Sequence, residues 1–216
     1  SILEWTGGDI AFLPTFPIET WNFRIAHIAG ALGVGFLLFA SHTFSSGQKR
    51  HSSKALGLAA AALALPALVA GATAIGFANT IASGTLPQMG GLTTWAAFPG
   101  TEIYNAEVYW FGLPLLEATF GAIAIGWFER RAQDQIAVAD GVPALCAVVV
   151  AIYLMAIYGT AARNSVGTPF VPIGVAFAAT AGSALILELT RRVAGLALVI
   201  ITGVFLLYTF TAHLLP

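Results

Sequence analysis

One acidic side chain lies in the middle of a long apolar run. Glu117 is the single charged residue between Tyr109 and Phe128. A carboxylate in hydrocarbon-like surroundings is costly, so Glu117 is a candidate for binding a cation or carrying a proton. The alternative is a structural carboxyl group that is buried and hydrogen-bonded to a neighbouring helix. We favour the structural alternative, because no second carboxylate of matching depth is present to complete a site.

Two histidines form the next candidate site. His27 lies near the start of the first apolar run, and His213 lies near the end of the last one. If both lie at one depth, their imidazoles could ligate a haem from its two sides. The other two, His42 and His51, add no i, i+4 pair, and no Cys–His cluster is present. We therefore expect no metal and no cofactor, and we keep a haem or a quinone as the alternative.

The motifs of common catalytic sites are missing from the sequence. It contains no G-x-S-x-G, no P-loop, no H-E-x-x-H and no glycine-rich dinucleotide fingerprint. We therefore expect a protein that is not an enzyme.

A charged group lies at the end of the fifth long apolar run. Glu188 precedes Arg191 and Arg192 by three and four residues, the spacing at which side chains meet on one face of a helix. This spacing predicts a structural ion pair. The two arginines also lie next to a predicted membrane boundary, where they can anchor the helices to anionic headgroups.

The elements that position these residues are predicted to be membrane-spanning helices. Of the 216 residues, 58 % are apolar and only 9 % are charged, which is too few charges to cover a soluble domain. The net charge of −1 argues against nucleic-acid binding. Transmembrane strands would alternate apolar and polar residues, whereas residues 56–78 are almost continuously apolar. The sequence therefore predicts an all-α integral membrane protein.

Six runs are long and apolar enough to cross about 30 Å of hydrocarbon. We predict a single domain over residues 1–216, a bundle of about six transmembrane helices with a long outer loop at residues 79–108. The predicted spans are residues 21–42, 55–78, 109–128, 141–159, 170–190 and 193–213.

Basic residues determine the predicted orientation. Seven of the nine lie in three loops on one side of this six-span arrangement. The positive-inside rule places those loops in the cytoplasm and both chain ends outside. The three loops contain Lys49, Arg50 and Lys54, then Arg130 and Arg131, and finally Arg191 and Arg192.

Small residues recur at helical spacing in the fifth span. Gly174, Ala178 and Gly182 share one face of that helix. Faces of this kind let two helix backbones approach closely, which stabilises helix packing in lipid. The face is either a docking surface for a partner subunit or a packing surface within this chain. Internal packing is favoured, because six helices must first pack on each other.

Two segments resemble a known transporter family. Residues 188–208 read ELTRRVAGLALVIITGVFLLY, and residues 24–29 read RIAHIA. The first resembles a segment near the start of fused permeases of the TAXI class of TRAP transporters. There, an acidic residue, a Thr and paired Arg precede Val-x-Gly and a helix ending in Phe-x-x-Tyr. The second is similar to the Arg/Ser-x-x-His segment of that family, whereas residues 49 to about 135 depart from the family's pattern.

The resemblance implies a scaffold role. In this family the small, Q-like membrane part binds a large M-type part, which moves solute and sodium by an elevator-like motion. A periplasmic binding protein delivers the solute, often an organic acid. The resemblance therefore implies a multi-pass chain of the bacterial inner membrane with no substrate site and no cofactor of its own. Its partners would be the large permease subunit or domain, the periplasmic solute-binding protein and the lipid bilayer.

Two other classes of protein stay open. The chain could be the membrane anchor of a respiratory complex, with His27 and His213 as haem ligands or with a quinone site. It could also be a structural subunit of another membrane complex.

Cysteine labelling tests the predicted orientation. A cysteine placed at Gly90, in the outer loop, is expected to react with an impermeant thiol reagent added outside intact cells. A cysteine placed at Gly47 is expected to stay unlabelled, because the basic loop is cytoplasmic. The reverse labelling pattern would contradict the orientation.

Overall fold

The computed structural model describes residues 20–39, 54–82, 102–128, 138–158 and 172–211, and all structural statements below refer to these ranges. Their regular structure is helical throughout, in six helices. The first two are α1 (Thr20–Leu38) and α2 (Lys54–Ala82). Helix α3 consists of Glu102–Asn105, a π-helical segment Ala106–Gly112, and Leu113–Phe128. The remaining helices are α4 (Val138–Ala156), α5 (Ile173–Ala194) and α6 (Leu196–Thr211).

Four helices are long and apolar enough to cross a membrane. Their apolar stretches are Ala55–Thr80, Ala106–Phe128, Ala139–Ala156 and Ile173–Ala194. The first and last helices are apolar but shorter, over Asn22–Leu38 and Leu196–Thr209. The structure therefore has the helical, multi-span character that the composition predicts, with four spans assigned by length and composition.

Helix α3 begins earlier than the sequence predicts. Residues 79–82 and 102–108 were expected in the outer loop, yet both stretches are helical. Polar residues such as Glu102, Asn105 and Glu107 lower the hydropathy of this stretch, so composition alone does not separate it from a loop. Glu107 is buried against other helices, and these contacts hold the extra turns of α3 in helical form.

A proline explains the π-helical segment of α3. Pro114 has no N–H to donate to the carbonyl of Trp110, four residues earlier, and its ring crowds that carbonyl. A wider π turn relieves the crowding. The freed Trp110 oxygen lies 3.1 Å from the hydroxyl of Thr73 on α2, which also lies 2.9 Å from the Val69 oxygen. The widened turn is thereby held against α2.

Helix α4 lies at the centre of the bundle and packs against α1, α2, α3 and α5. Small residues make this close packing possible. On α2 the buried residues are Gly71 and five alanines: Ala60, Ala67, Ala70, Ala74 and Ala78. In hydrocarbon, close backbone approach supplies the dispersion contacts that hold helices together. The alanine stripe of α2 therefore allows the close helix contacts that stabilise this bundle.

The last helix differs from the others. Gly195 ends α5 with a φ of +87°, a conformation that favours glycine, and its N–H donates to the Arg191 carbonyl at 3.1 Å. The chain then continues into α6, which packs against α5 but leaves most of its side chains exposed. Helix α6 is therefore attached to the bundle at its edge.

Gly112 tests the packing of α3 on α5. A β-carbon at Gly112 would overlap the ring of Phe177, whereas one at Gly76 on α2 would meet open space. Gly112→Ala is expected to lower the free energy of unfolding by about 1–3 kcal/mol through overpacking. Gly76→Ala, the matched control, is expected to leave it unchanged or raise it slightly. Denaturant unfolding in detergent micelles measures both, and equal effects would contradict the described packing.

Candidate functional site

Charged side chains meet where α5 ends and α4 begins. The last turns of α5 supply Glu188, Arg191 and Arg192, the first turn of α4 supplies Asp140, and the end of α3 supplies Trp127. We call these five residues the Arg192 cluster. By the predicted orientation, this cluster lies at the cytoplasmic end of the bundle.

Glu188 accepts four hydrogen bonds from other side chains of the Arg192 cluster. Arg191 donates through Nε to Glu188 Oε2 and through Nη2 to Oε1, both at 2.8 Å. Arg192 donates through Nε to the same Oε1 at 2.8 Å. The Trp127 indole N–H completes the set, 3.0 Å from Oε2. Each carboxylate oxygen of Glu188 therefore accepts two hydrogen bonds. The donors are the two arginines and the indole of Trp127.

Arg192 extends the cluster to two more helices. Its Nη1 lies 2.7 Å from Asp140 Oδ1 and 3.1 Å from the Phe39 carbonyl, which follows the end of α1. Its guanidinium also lies over the Phe36 ring, 4.9 Å from the centroid. Through this single side chain, α1, α4 and α5 are joined by charge-assisted hydrogen bonds and a cation–π contact.

The four charged residues of the Arg192 cluster are buried. Glu188 is 3 % exposed and Arg192 is 7 % exposed, and Asp140 and Arg191 are buried as well. Removing such charges from water is costly, so each must have a partner. Helix dipoles add to the pairing, because Asp140 lies in a first turn and the arginines lie in a last turn. Among the described residues, two acids face two bases, and the Arg192–Asp140 ion pair joins α5 to α4.

The structure brings three of the predicted site residues together. Glu188, Arg191 and Arg192 form an ion-paired group. Both guanidinium groups point towards carboxylates in the bundle, because the buried Glu188 and Asp140 each require a cation nearby. Anchoring of the two arginines to lipid headgroups stays a prediction. Asp140 and Trp127 were not among the predicted site residues.

A second buried polar group lies at the opposite end of α4 and α5. The Tyr153 hydroxyl donates to Glu107 Oε1 at 2.5 Å, and the Gly174 N–H points to Oε2 at 3.4 Å. Glu107 is fully buried, and the Tyr153 ring stacks on Phe111 with centroids 4.1 Å apart. The carboxylate thus accepts hydrogen bonds at the N-terminus of α5, where the helix dipole favours negative charge. We call Glu107, Tyr153 and Gly174 the Glu107 cluster.

Sequence reasoning missed Glu107, because it fell in the predicted outer loop. A signal was present: extending the third span by one turn before Tyr109 brings in one carboxylate at the edge of an apolar run. An ionisable residue inside a span is a functional or structural site by default. The burial of Glu107 depends on Tyr153 and the start of α5, whose proximity is not visible in the sequence.

Glu117 lies elsewhere, on the outer surface of α3. Its side chain is exposed, and no hydrogen bond or ion pair joins it to another described residue. The expectation of a buried carboxyl bonded to a neighbouring helix is therefore wrong within the described ranges. The reason is the helical phase of α3: the buried face carries Leu115, Ala118 and Ala122, which leaves Glu117 on the opposite side.

The structure describes one residue of the predicted histidine pair, His27. His27 is exposed on α1, with its ring 6.0 Å from that of Phe23. His213 lies outside the described residues, so the expected haem pair stays a prediction. Within the ranges that the structure describes, no group of three or more His, Cys, Asp or Glu residues is placed to hold a metal ion.

The small-residue face of α5 packs inside the chain. A β-carbon at Gly174 would overlap the Tyr153 hydroxyl, and one at Gly182 would lie 3.6 Å from Val150 Cγ1. Ala178 is fully buried. Gly174 and Ala178 are buried within the chain, which favours helix packing over a partner face at these two residues. Gly174 lies where α5 crosses α4, and the Tyr153 side chain of α4 occupies the space beside it.

Comparisons with known proteins assign this chain to no family. No family model, no curated protein and no solved structure matches the chain. The functional interpretation therefore depends on the chain's own residues and their arrangement.

Replacing Arg192 tests the Arg192 cluster. Arg192→Leu removes the cation that binds both Asp140 and Glu188, so we expect the free energy of unfolding to fall by about 3–5 kcal/mol. The double variant Arg192→Leu/Asp140→Leu removes the Asp140 carboxylate as well, while Arg191 still pairs with Glu188. It is expected to recover part of the loss. Unfolding in detergent measures both variants, and a single variant as stable as the wild type would contradict the role of Arg192.

Proposed function

We propose that this chain is the scaffold membrane component of a binding-protein-dependent, sodium-coupled secondary transporter of the TRAP type. In this proposal it spans the bacterial inner membrane six times, with both ends outside. It supports a larger elevator-type transport domain, which binds the sodium and the solute, an organic acid. A periplasmic solute-binding protein delivers that solute, and this chain has no catalytic role.

The observation that carries the proposal is the pair of buried clusters at opposite ends of α4 and α5. Asp140 and Tyr153 are thirteen residues apart on α4, about 20 Å along the helix. Each belongs to a different cluster, and each cluster also includes residues of α3 and α5. Helices joined at both ends resist independent sliding or tilting, because either movement would break hydrogen bonds of buried polar groups. A static support needs this property.

The interior between the two clusters supports the same proposal. Transport sites use polar groups or unwound helices near the membrane midplane. In the part of the chain described, the core between the clusters is formed by alanines and larger apolar residues, among them Leu115 and Leu185. Thr119 and Cys146 are the polar or sulfur-bearing side chains buried there. Neither offers a charge to hold an organic anion or sodium, which favours a solute pathway in a partner.

A covalent lock between α2 and α4 tests the static role. A β-carbon at Gly71 would lie 3.2 Å from Val149 Cγ2, so Gly71→Cys/Val149→Cys places two thiols within bonding range. Cys146→Ala removes the native thiol from the background. The complex with the large permease subunit is reconstituted in proteoliposomes with the binding protein and a sodium gradient. Solute uptake by the oxidised complex is expected to stay within about twofold of the reduced complex, because a scaffold does not move internally.

Two outcomes would contradict the proposal. The first is loss of uptake on oxidation, restored by reductant, with the complex still assembled; it would show that the bundle itself moves during transport. The second is failure of this chain to assemble with any large permease. The Cys146→Ala variant without the added cysteines is the matched control for the oxidant.

A further inference from the structure

The position of Glu117 is unusual for an ionisable residue. It lies midway along the apolar stretch Ala106–Phe128, about 16 Å from either end. Its side chain is exposed on the bundle, and it has no hydrogen bond or ion pair with another described residue. Carboxylates at this depth almost always face a protein interior or a water-filled cavity, because hydrocarbon leaves their charge unsolvated. Contact with lipid alone therefore does not account for Glu117.

The surface around Glu117 has the spacing of a helix-packing seam. Exposed residues follow one another at intervals of three and four along α3, which is the pattern that brings a second helix into register. Phe120 is 48 % exposed and Trp110 is 62 % exposed, so bulky side chains stand out from the bundle on this side. We call the following residues the Glu117 stripe: Trp110, Leu113, Glu117, Phe120, Ala124 and Trp127.

The acid at the centre of the stripe indicates what kind of helix would cover it. A purely apolar helix would bury the carboxylate without a partner. A second copy of this chain in the same orientation would bring two Glu117 carboxylates to one depth, which disfavours their charged forms. A helix with a Lys or Arg at the membrane midplane would form an ion pair with Glu117. The pairing would offset part of the free-energy cost of removing both charges from water. Charge complementarity therefore favours a basic residue on the covering helix.

We propose that the Glu117 stripe is the docking surface for a membrane-spanning helix of a partner subunit that carries a Lys or Arg opposite Glu117. This inference rests on the proposed function for the partner's identity, the large permease subunit. The docking surface lies on α3 and not at Gly174 and Ala178 of α5, which are already buried within the chain.

Photo-crosslinking in membranes tests where the partner lies. A photoreactive phenylalanine analogue replaces Phe120 in the stripe or, as the control, Leu68 on α2. The two positions are comparable in exposure, 48 % and 56 %, and Leu68 lies near the middle of its own apolar stretch, Ala55–Thr80. At position 120 we expect an adduct with an apolar helix of another protein whose sequence includes a Lys or Arg. At position 68 we expect no such adduct.

Charge exchange then tests the pairing. Glu117→Leu is expected to reduce recovery of the purified complex about tenfold, since the partner's cation loses its acid. Leu68→Gln, which places a polar group on another exposed face, is expected to change it little. Glu117→Lys is expected to abolish the complex, and replacing the partner's basic residue by Glu in that variant is expected to restore it. Because Glu117 has no bond within the described chain, each variant should unfold like the wild type when isolated.

Contrary results distinguish a failure of this inference from a failure of the proposed function. An adduct at position 120 with lipid alone would show that the stripe faces the bilayer, and an adduct with a second copy would make it a homodimer surface. Unchanged recovery of the complex with Glu117→Leu would remove Glu117 from the interface. If the large permease assembles but crosslinks only through other faces, the inference fails and the proposed function stands. If the stripe binds a basic helix of an unrelated protein, the docking surface stands and the proposed function fails.

Discussion

Arg192 is the side chain on which the arrangement of the bundle depends most. Its guanidinium is buried where α1, α4 and α5 meet, and it is held by Glu188, Asp140 and the Phe39 carbonyl. In a medium of low dielectric constant, a charge without a partner costs several kcal/mol. Each of these helix ends must therefore stay where it can supply a partner. Packing through alanines alone does little to determine the relative positions of helices. The need to pair buried charges therefore determines how these helices are placed.

The Glu107 cluster applies the same constraint at the other end with a different set of partners. Tyr153 and the N-terminus of α5 replace the arginines as donors to a buried carboxylate. The π-helical segment of α3, which Pro114 induces and Thr73 secures, carries Glu107 into this position. Between the clusters, close packing of small residues suffices, because both ends are already held. The placement of the helices thus depends on polar groups at both ends of the bundle, and the apolar core fills the space between them.

The outer surface of the bundle differs from its interior in side-chain size. Small residues on α3, including Ala118, Ala122 and Gly126, face inward, whereas Phe120 and Trp110 are exposed. Packing of one helix on another favours small side chains at the contact, so the interior is used for close approach. The exposed side of α3 differs from an ordinary lipid-facing surface in one respect, the carboxyl group of Glu117 at mid-span.

The class of structure and one part of the polar network follow from the amino-acid sequence alone. Long apolar runs with few charges indicate membrane-spanning helices, since hydrocarbon requires every backbone group to be bonded within the helix. The i+3 and i+4 spacing from Glu188 predicts its pairing with Arg191 and Arg192, because that contact is local to one helix. Which faces of the helices are buried depends on how the helices pack. In a membrane protein the lipid-facing and buried faces are both apolar, so hydropathy does not distinguish them. For that reason only the packed structure places Gly174 beneath Tyr153, Asp140 beside Arg192, Glu107 in the interior and Glu117 on the surface.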